Sequence, residues 1–222
     1  MAWRSHGSSN ETLVDNLKKN GLIESDRVKE AMMKVDRAHF APSKPYDDSP
    51  QPIGHRATIS APHMHANACE SLLTYLQPGC KVLDIGSGSG YLTAVLANLV
   101  GPRGSVIGID HIQPLVDMGN TNMAKSEEGR RMLDSGQVQF VTGDGRKGWE
   151  EGAPYDAIHV GAAAAEHHKV LVDQLKAPGR LFVPVEERSL QHIYVIDKDK
   201  DGNVERKKLY GVQYVPLTDA PK

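Results

Sequence analysis

The chain predicts an α/β fold: one doubly wound, mostly parallel sheet with an antiparallel C-terminal edge and an N-terminal extension of helices and loop. Three observations carry this. Beyond residue 70, short apolar strand-type runs alternate with runs of helical period, the order required by a parallel sheet covered on both faces. Residues 41–62 hold five prolines, Pro42, Pro45, Pro50, Pro52 and Pro62, so this stretch is not regular helix. Near the C-terminus two strand-type runs follow one another with only a turn between them.

The elements read in order as follows. Ser8 and Glu11, three apart, resemble a capping box for a helix whose apolar face is Leu13, Val14 and Leu17 and whose C′ residue is Gly21. A second short helix starts near Ser25-Asp26, with Val28, Met32 and Val35 on one side. After the proline-rich loop, Pro62 suits a first helical turn, and Ala66, Cys69, Leu73 and Leu76 continue at helical spacing to a stop at Pro78-Gly79. Strands are then expected at Lys81–Ile85, Ser105–Asp110, Val138–Val141, Ala157–Val160 and Leu181–Val185. Helices are expected over Tyr91–Val100, 114–125 and Glu166–Lys176. Ile193–Ile196, a turn at Asp199–Asn203, and Val204–Val215 read as a hairpin on the sheet edge. The expected organisation is a single domain over 1–222: an N-terminal extension (1–70), an α/β core (71–190) and a C-terminal hairpin (191–222).

Composition narrows the function classes. The 222 residues carry 26 Lys+Arg against 28 Asp+Glu, a formal net charge of -2, which argues against gripping nucleic acid or anionic lipid through bulk charge. With 39% hydrophobic and 24% charged residues the chain is globular, not disordered. No apolar run approaches the ~20 residues needed to span a bilayer, and the N-terminus lacks an apolar leader core. Cys69 and Cys80 read as reduced thiols. The expectation is a cytoplasmic monomer that engages neither nucleic acid nor membrane.

The most informative motif is Val82-Leu83-Asp84-Ile85-Gly86-Ser87-Gly88-Ser89-Gly90, a strand feeding a glycine turn that opens a helix. Its spacing is G-x-G-x-G, not the G-x-G-x-x-G of a pyrophosphate binder, and the acid Asp84 precedes it at the strand end. A carboxylate there suits a ligand carrying an amino group or positive charge. That points to S-adenosyl-L-methionine and away from a nicotinamide dinucleotide. Asp110, closing the next strand, is placed to accept two ribose hydroxyls, and Gly143-Asp144-Gly145 closes a third strand where a side-chain oxygen can take an adenine amino group. Taken singly, each acid is also an ordinary cap or turn residue. Three at successive strand ends, on the side where open α/β sheets bind ligands, form a Rossmann-like site.

The remaining candidates are weaker. In Thr58-Ile59-Ser60-Ala61-Pro62-His63-Met64-His65-Ala66, Ser60 is a capping hydroxyl or a functional one. His63 and His65 do not share a helix face, which disfavours a metal site, and no metal is expected. His159, inside a strand, reads as a satisfied core histidine, and His167-His168 as helix surface. Asp197–Gly202 imitates the opening of a calcium loop but has Lys208 where the twelfth-position glutamate belongs, so it reads as a hairpin turn.

Together these residues resemble the protein-L-isoaspartate (D-aspartate) O-methyltransferase family of the eukaryotic type, over roughly residues 1–219. The most specific pieces are Ala57–Ala66, Leu83–Gly90, Gly143–Arg146, Pro154–Ala162 and Tyr214–Asp219. The resemblance implies a Rossmann-like methyltransferase that moves a methyl group from S-adenosyl-L-methionine to the free carboxylate of L-isoaspartyl, and less well D-aspartyl, residues in damaged proteins and peptides, releasing S-adenosyl-L-homocysteine. The ester then cyclises to a succinimide that reopens in part as normal aspartate. Ser60 would lie at the acceptor carboxylate as the catalytic residue. Ala57, Thr58, Ile59, His65, Asp84, Ile85, Gly86, Ser87, Gly88, Gly90, Asp110, His111, Asp144, Gly145 and Thr218 would surround the cofactor. Ser60, Ala61, His65 and Val215 would hold the substrate peptide. The chain departs from the family at His55-Arg56, at Ala165 where proline is common, and at Glu186-Glu187-Arg188 in place of a glycine-rich stretch; these touch the site rim and bear on substrate preference.

The acceptor carboxylate, with a reference pKa near 4, is already ionised at neutral pH, so no general base is needed. Competing readings are a small-molecule or RNA methyltransferase, a cofactor-binding regulatory subunit without activity, and a nicotinamide dehydrogenase.

Overall fold

The computed structural model describes residues 5–164 and 169–213. The N-terminal extension packs α1 (Asn10–Lys19) and α2 (Asp26–Lys34) through Leu13, Val14, Leu17, Val28 and Met32, all fully buried. The capping box of α1 falls one residue later than expected. Ser9 is the N-cap, and Thr12 Oγ1 accepts the Ser8 and Ser9 N–H groups at 2.9 Å each, the task expected of Glu11. Gly21 adopts φ +72°, as a residue just past a helix end does.

The proline-rich loop contains a two-stranded hairpin that the sequence reading did not anticipate. It joins β1 (Gln51–Gly54) to β2 (Ala57–Ile59) in antiparallel register. His55 and Arg56, at φ +50° and +59°, form its tip, the pair of left-handed residues that a tight hairpin turn requires. The hairpin delivers Ser60 directly to α3 (Pro62–Leu72).

The main sheet has seven strands: β3 (Lys81–Ile85), β4 (Ser105–Asp110), β5 (Val138–Thr142), β6 (Tyr155–Val160), β7 (Leu175–Glu187), β8 (Leu190–Lys198) and β9 (Val204–Val212). Their spatial order is β5-β4-β3-β6-β7-β8-β9. The pairs from β5 to β7 are parallel, and β7-β8 and β8-β9 are antiparallel. Helices α4 (Tyr91–Val100), α5 (Gln113–Met123), α6 (Glu127–Asp134) and α7 (Lys169–Asp173) complete the layers. Strand alternation splits the core in two. Val82, Ala157 and Phe182 join the face under α1 to α5, whereas Leu83, Ile85, Ile158, Val160 and Leu181 join the face under α7.

One helix expectation needs correction, and one helix was not expected. The expected helix over Glu166–Lys176 ends at Asp173, because the Gln174 carbonyl accepts the Tyr155 N–H at 2.9 Å and Leu175 enters β7 opposite Tyr155; residues 165–168 lie outside the described residues. Helix α6 went unanticipated because only Gly129 and Met132 of it are buried, too few to set an apolar period. Among the described residues, no helix is long and apolar enough to cross a membrane.

Candidate active site

Strand order reverses between β3 and β6, the topological switch point where open α/β sheets hold ligands at the C-terminal ends of their strands. The turn after β3 is stapled to its neighbours. Gly86 N–H and Ser87 N–H both donate to the Ile109 carbonyl, at 2.8 and 3.1 Å. Gly88 N–H donates to Asp110 Oδ2 at 3.1 Å, and Gly90 N–H to the Ser87 carbonyl at 2.8 Å. Gly86, Gly88 and Gly90 all take positive φ, of +76°, +51° and +85°. With these four amides used internally, the turn does not present the row of N–H donors that a pyrophosphate needs. Its open groups include the buried Ser87 hydroxyl, which has no partner among the described residues.

A cavity forms where this turn meets the end of β2 and the start of α3. Thr58, Ile59, Ser60 and His65 wall one side, and Asp84, Gly86, Ser87, Gly88, Tyr91 and His159 the other. Asp84 lies at its floor, 1% exposed, because even-numbered residues of β3 face the α4 side. Its carboxylate accepts Thr93 Oγ1–H at 2.6 Å, from the first turn of α4, and meets His159 Nδ1 at 2.8 Å, from the adjacent strand. His159 is also stacked on Phe182, ring centroids 5.7 Å apart. It is therefore the satisfied core histidine expected from the sequence, and also part of the cavity wall.

Asp110 bounds the cavity through Gly88. Its carboxylate also accepts the Ile112 N–H at 3.1 Å, and burial raises its pKa above the ordinary carboxylate value against the lowering effect of these hydrogen bonds. His111 Nδ1 lies 3.5 Å from it. Asp144 stands one strand further out, linked by the Gly143 N–H to Asp110 carbonyl bond at 3.0 Å. Arg146 donates to it from Nε at 2.8 Å and holds its pKa below the usual value, and Gly145 is buried beside it. Asp110, His111, Asp144 and Gly145 thus continue the cavity along the strand ends without lining it. Ile85 is core, its carbonyl accepting Gly161 N–H at 2.7 Å. Ala57 and Ala61 flank the wall at the two ends of the Thr58–Ser60 segment. Val215 and Thr218 lie outside the described residues.

Tyr91, Leu92, Ser89 and Gly161 also line the cavity, although none of them was among the expected site residues. Gly161 was legible in principle, since it follows the strand across the switch point from β3. Two of the sequence departures fall on hairpin tips. His55-Arg56 closes β1-β2. Arg188, with Ser189, takes φ of +51° and +66° between β7 and β8, and Glu187 beside it pairs with Lys208 at 2.9 Å.

The sequence model of the protein-L-isoaspartate(D-aspartate) O-methyltransferase (PCMT) family matches residues 8–222. The chain belongs to this family. Among its PCMT relatives, the protein-L-isoaspartate O-methyltransferase of Caenorhabditis elegans is 48% identical over 218 residues, covering 98% of this chain and 96% of the relative. That of Triticum aestivum is 51% identical over 211 residues, covering 94% and 91%. The crystal structure of a beta-aspartate methyltransferase (PCMT) from Plasmodium falciparum, in complex with S-adenosyl-L-homocysteine, superposes with a TM-score of 0.88 at 34% identity, covering 96% of this chain and 99% of that one. The PCMT fold is thus a mostly parallel, Rossmann-like methyltransferase sheet with antiparallel edge strands.

Proposed function

We infer that this chain is a protein-repair enzyme, transferring a methyl group from S-adenosyl-L-methionine to the free carboxylate of L-isoaspartyl, and D-aspartyl, residues in damaged proteins and peptides. The resulting ester converts through a succinimide toward normal aspartate. The observation that carries this reading is the meeting of Ser60 and the Gly86–Gly90 turn in one cavity, in a chain that matches the family along almost its whole length.

The residues present fit the cofactor. Gly86 leaves open the space a Cβ would take 3.7 Å from the Gly161 backbone, the Ser87 hydroxyl is buried without a partner among the described residues, and anionic side chains mark three successive strand ends. When bound, S-adenosyl-L-methionine supplies an electrophilic methyl group on a sulfonium cation. Asp84 at the cavity floor offers negative charge for the amino-acid portion. Asp110 keeps lone pairs free for ribose hydroxyls, and Asp144 with Gly145 serves the adenine.

Ser60 orients the acceptor carboxylate with one hydroxyl and leaves an oxygen lone pair free to attack. Because an anion and a cation react to give uncharged groups, a cavity that excludes water favours the transition state, and a strong cationic clamp on the attacking oxygen would oppose it. Alignment supplies much of the remaining acceleration. Within a single domain, residues 1–70 are assigned as the substrate-side extension, 71–190 as the cofactor-binding core and 191–222 as the C-terminal hairpin closing the active site. The protein is further assigned as a cytoplasmic monomer acting on proteins and peptides, without nucleic acid or membrane; its free thiols, Cys69 and Cys80, suit a reducing compartment.

The test is methyl transfer to an isoaspartyl peptide beside the same peptide with a normal aspartyl link. Transfer to the first and little to the second is expected. Equal transfer, or none to either, overturns the reading.

A further inference from the structure

Arg37 lies in a short 3₁₀ turn after α2, is 0% exposed, and belongs to no motif singled out in the sequence. Burying a guanidinium is costly, and an apolar side chain of similar volume would fill the space more cheaply. What only the guanidinium does is donate along fixed directions. Its NH2 donates to the Ser60 carbonyl at 2.7 Å, and its NH1 lies 3.4 Å from His65 Nδ1. The face of the group lies over the Tyr91 ring, 5.0 Å from the centroid. One cation therefore touches three residues of the cavity wall from behind.

The contact with His65 has a consequence for its protons. An arginine has donors and no acceptor, so the imidazole nitrogen facing it must carry the lone pair. In neutral His65 the hydrogen is then on Nε2. We propose that Arg37 is a positioning residue for methyl transfer: it fixes the Ser60 carbonyl and holds His65 in the tautomer whose Nε2–H is free to donate to the acceptor carboxylate.

The surroundings keep His65 neutral. It faces Arg37 from the 3₁₀ turn, Tyr91 from α4 with ring centroids 5.1 Å apart, His159 from β6 and His63 from its own helix. Burial first, and then the Arg37 charge, push its pKa well below the ordinary value of 6.5. Arg37 itself is lowered by burial to about 10 and so stays charged at neutral pH, aided by the buried Asp48 carboxylate. Asp48 is tied to His63, whose Nδ1 lies 2.7 Å from Oδ1. A neutral donor at His65 binds a carboxylate without the strong charge pairing that would blunt its nucleophilicity.

The role at the carboxylate rests on the repair reading; the tautomer does not. The test uses the full chain labelled with ¹⁵N and long-range imidazole correlations, His65 being assigned by comparison with His65→Gln. The expected wild-type result is the Nε2–H tautomer at neutral pH, with protonation setting in only well below the ordinary imidazole value of 6.5. Arg37→Met should mix the tautomers, move protonation of His65 to higher pH, and lower kcat/KM for an isoaspartyl peptide about tenfold. S-adenosyl-L-homocysteine affinity should fall by clearly less than kcat/KM does, since Arg37 reaches the cavity wall only through the Ser60 carbonyl, His65 and the Tyr91 ring. Arg37→Lys, which keeps the charge and one donor, should recover part of the rate. An Nδ1–H tautomer in the wild type overturns the proposal even if Arg37→Met does not fold. So does an Arg37→Met protein with unchanged tautomer and unchanged kcat/KM. The predicted tautomer in a protein that methylates no isoaspartyl peptide would sink the repair reading alone.

Discussion

His159 and Asp84 face each other across the adjacent parallel strands β6 and β3, Nδ1 to Oδ1 at 2.8 Å, and both are under 5% exposed. The pair sits at the switch point because the β3-β6 register puts these two positions opposite one another, with Phe182 next in the row. Thr93 closes the other oxygen from α4. A buried carboxylate with both oxygens engaged is held in one orientation.

Thr93→Val should therefore leave the carboxylate one donor short in nearly the same volume. The expected loss is about 1–3 kcal/mol of stability, read as a lower urea midpoint with unchanged slope. An unaltered midpoint would show that the Thr93 bond contributes nothing to holding Asp84.

Ser60→Ala should lower the methyl-transfer rate far more than it lowers affinity for S-adenosyl-L-homocysteine by calorimetry. The hydroxyl is assigned to the acceptor, and the backbone of residue 60 stays anchored by Arg37. Parallel losses in both quantities would mean that Ser60 serves only to shape the cavity.

Asp110 sets the acid side of cofactor binding. Its pKa is raised by burial above 3.8, so on acidification it is protonated before an ordinary carboxylate. The ionised form accepts from Gly88 and Ile112 and still has lone pairs for ribose hydroxyls. Affinity should hence fall as pH drops through a midpoint above 3.8, and Asp110→Asn should weaken binding about tenfold and remove that limb. On folding, the sign is opposite. A raised folded value means this group's contribution to stability declines as pH rises between the unfolded and folded values. Asp144, lowered by Arg146, stays ionised further down and adds no limb in this window. An affinity profile flat down to pH 4 would refute the Asp110 assignment.

Gly90→Ala probes the turn. Residue 90 has φ +85°, and an added Cβ would stand 2.9 Å from Phe140 Cζ and 3.1 Å from Gly119 Cα. Left-handed backbone strain alone costs about 1–2 kcal/mol, and crowding adds to it. Denaturant unfolding should show at least that loss; a variant as stable as wild type would mean that the left-handed backbone at residue 90 carries no strain and that Phe140 and α5 give way.

Much of this was legible in the chain because it is encoded locally. Strands β3 and β4 and helix α4 fall at the expected bounds, since apolar runs between glycines admit little else. The G-x-G-x-G turn, the acids at three strand ends and the Thr58–Ala66 segment carry the site's chemistry in residue type and spacing, which also makes the family recognisable. The capping box slipped by one residue because a threonine hydroxyl can do a glutamate's work. Helix α6 was hidden by its polar surface.

Tertiary structure alone decided which side chains share a cavity wall. Tyr91 and His159 join it through the β3-β6 register and the pitch of α4, and Arg37 reaches it from behind through packing of the N-terminal extension. No spacing rule links Arg37 to Ser60, 23 residues away, or Asp84 to His159, 75 away. Their partnerships arise only once chain closure has buried charges that must then find partners.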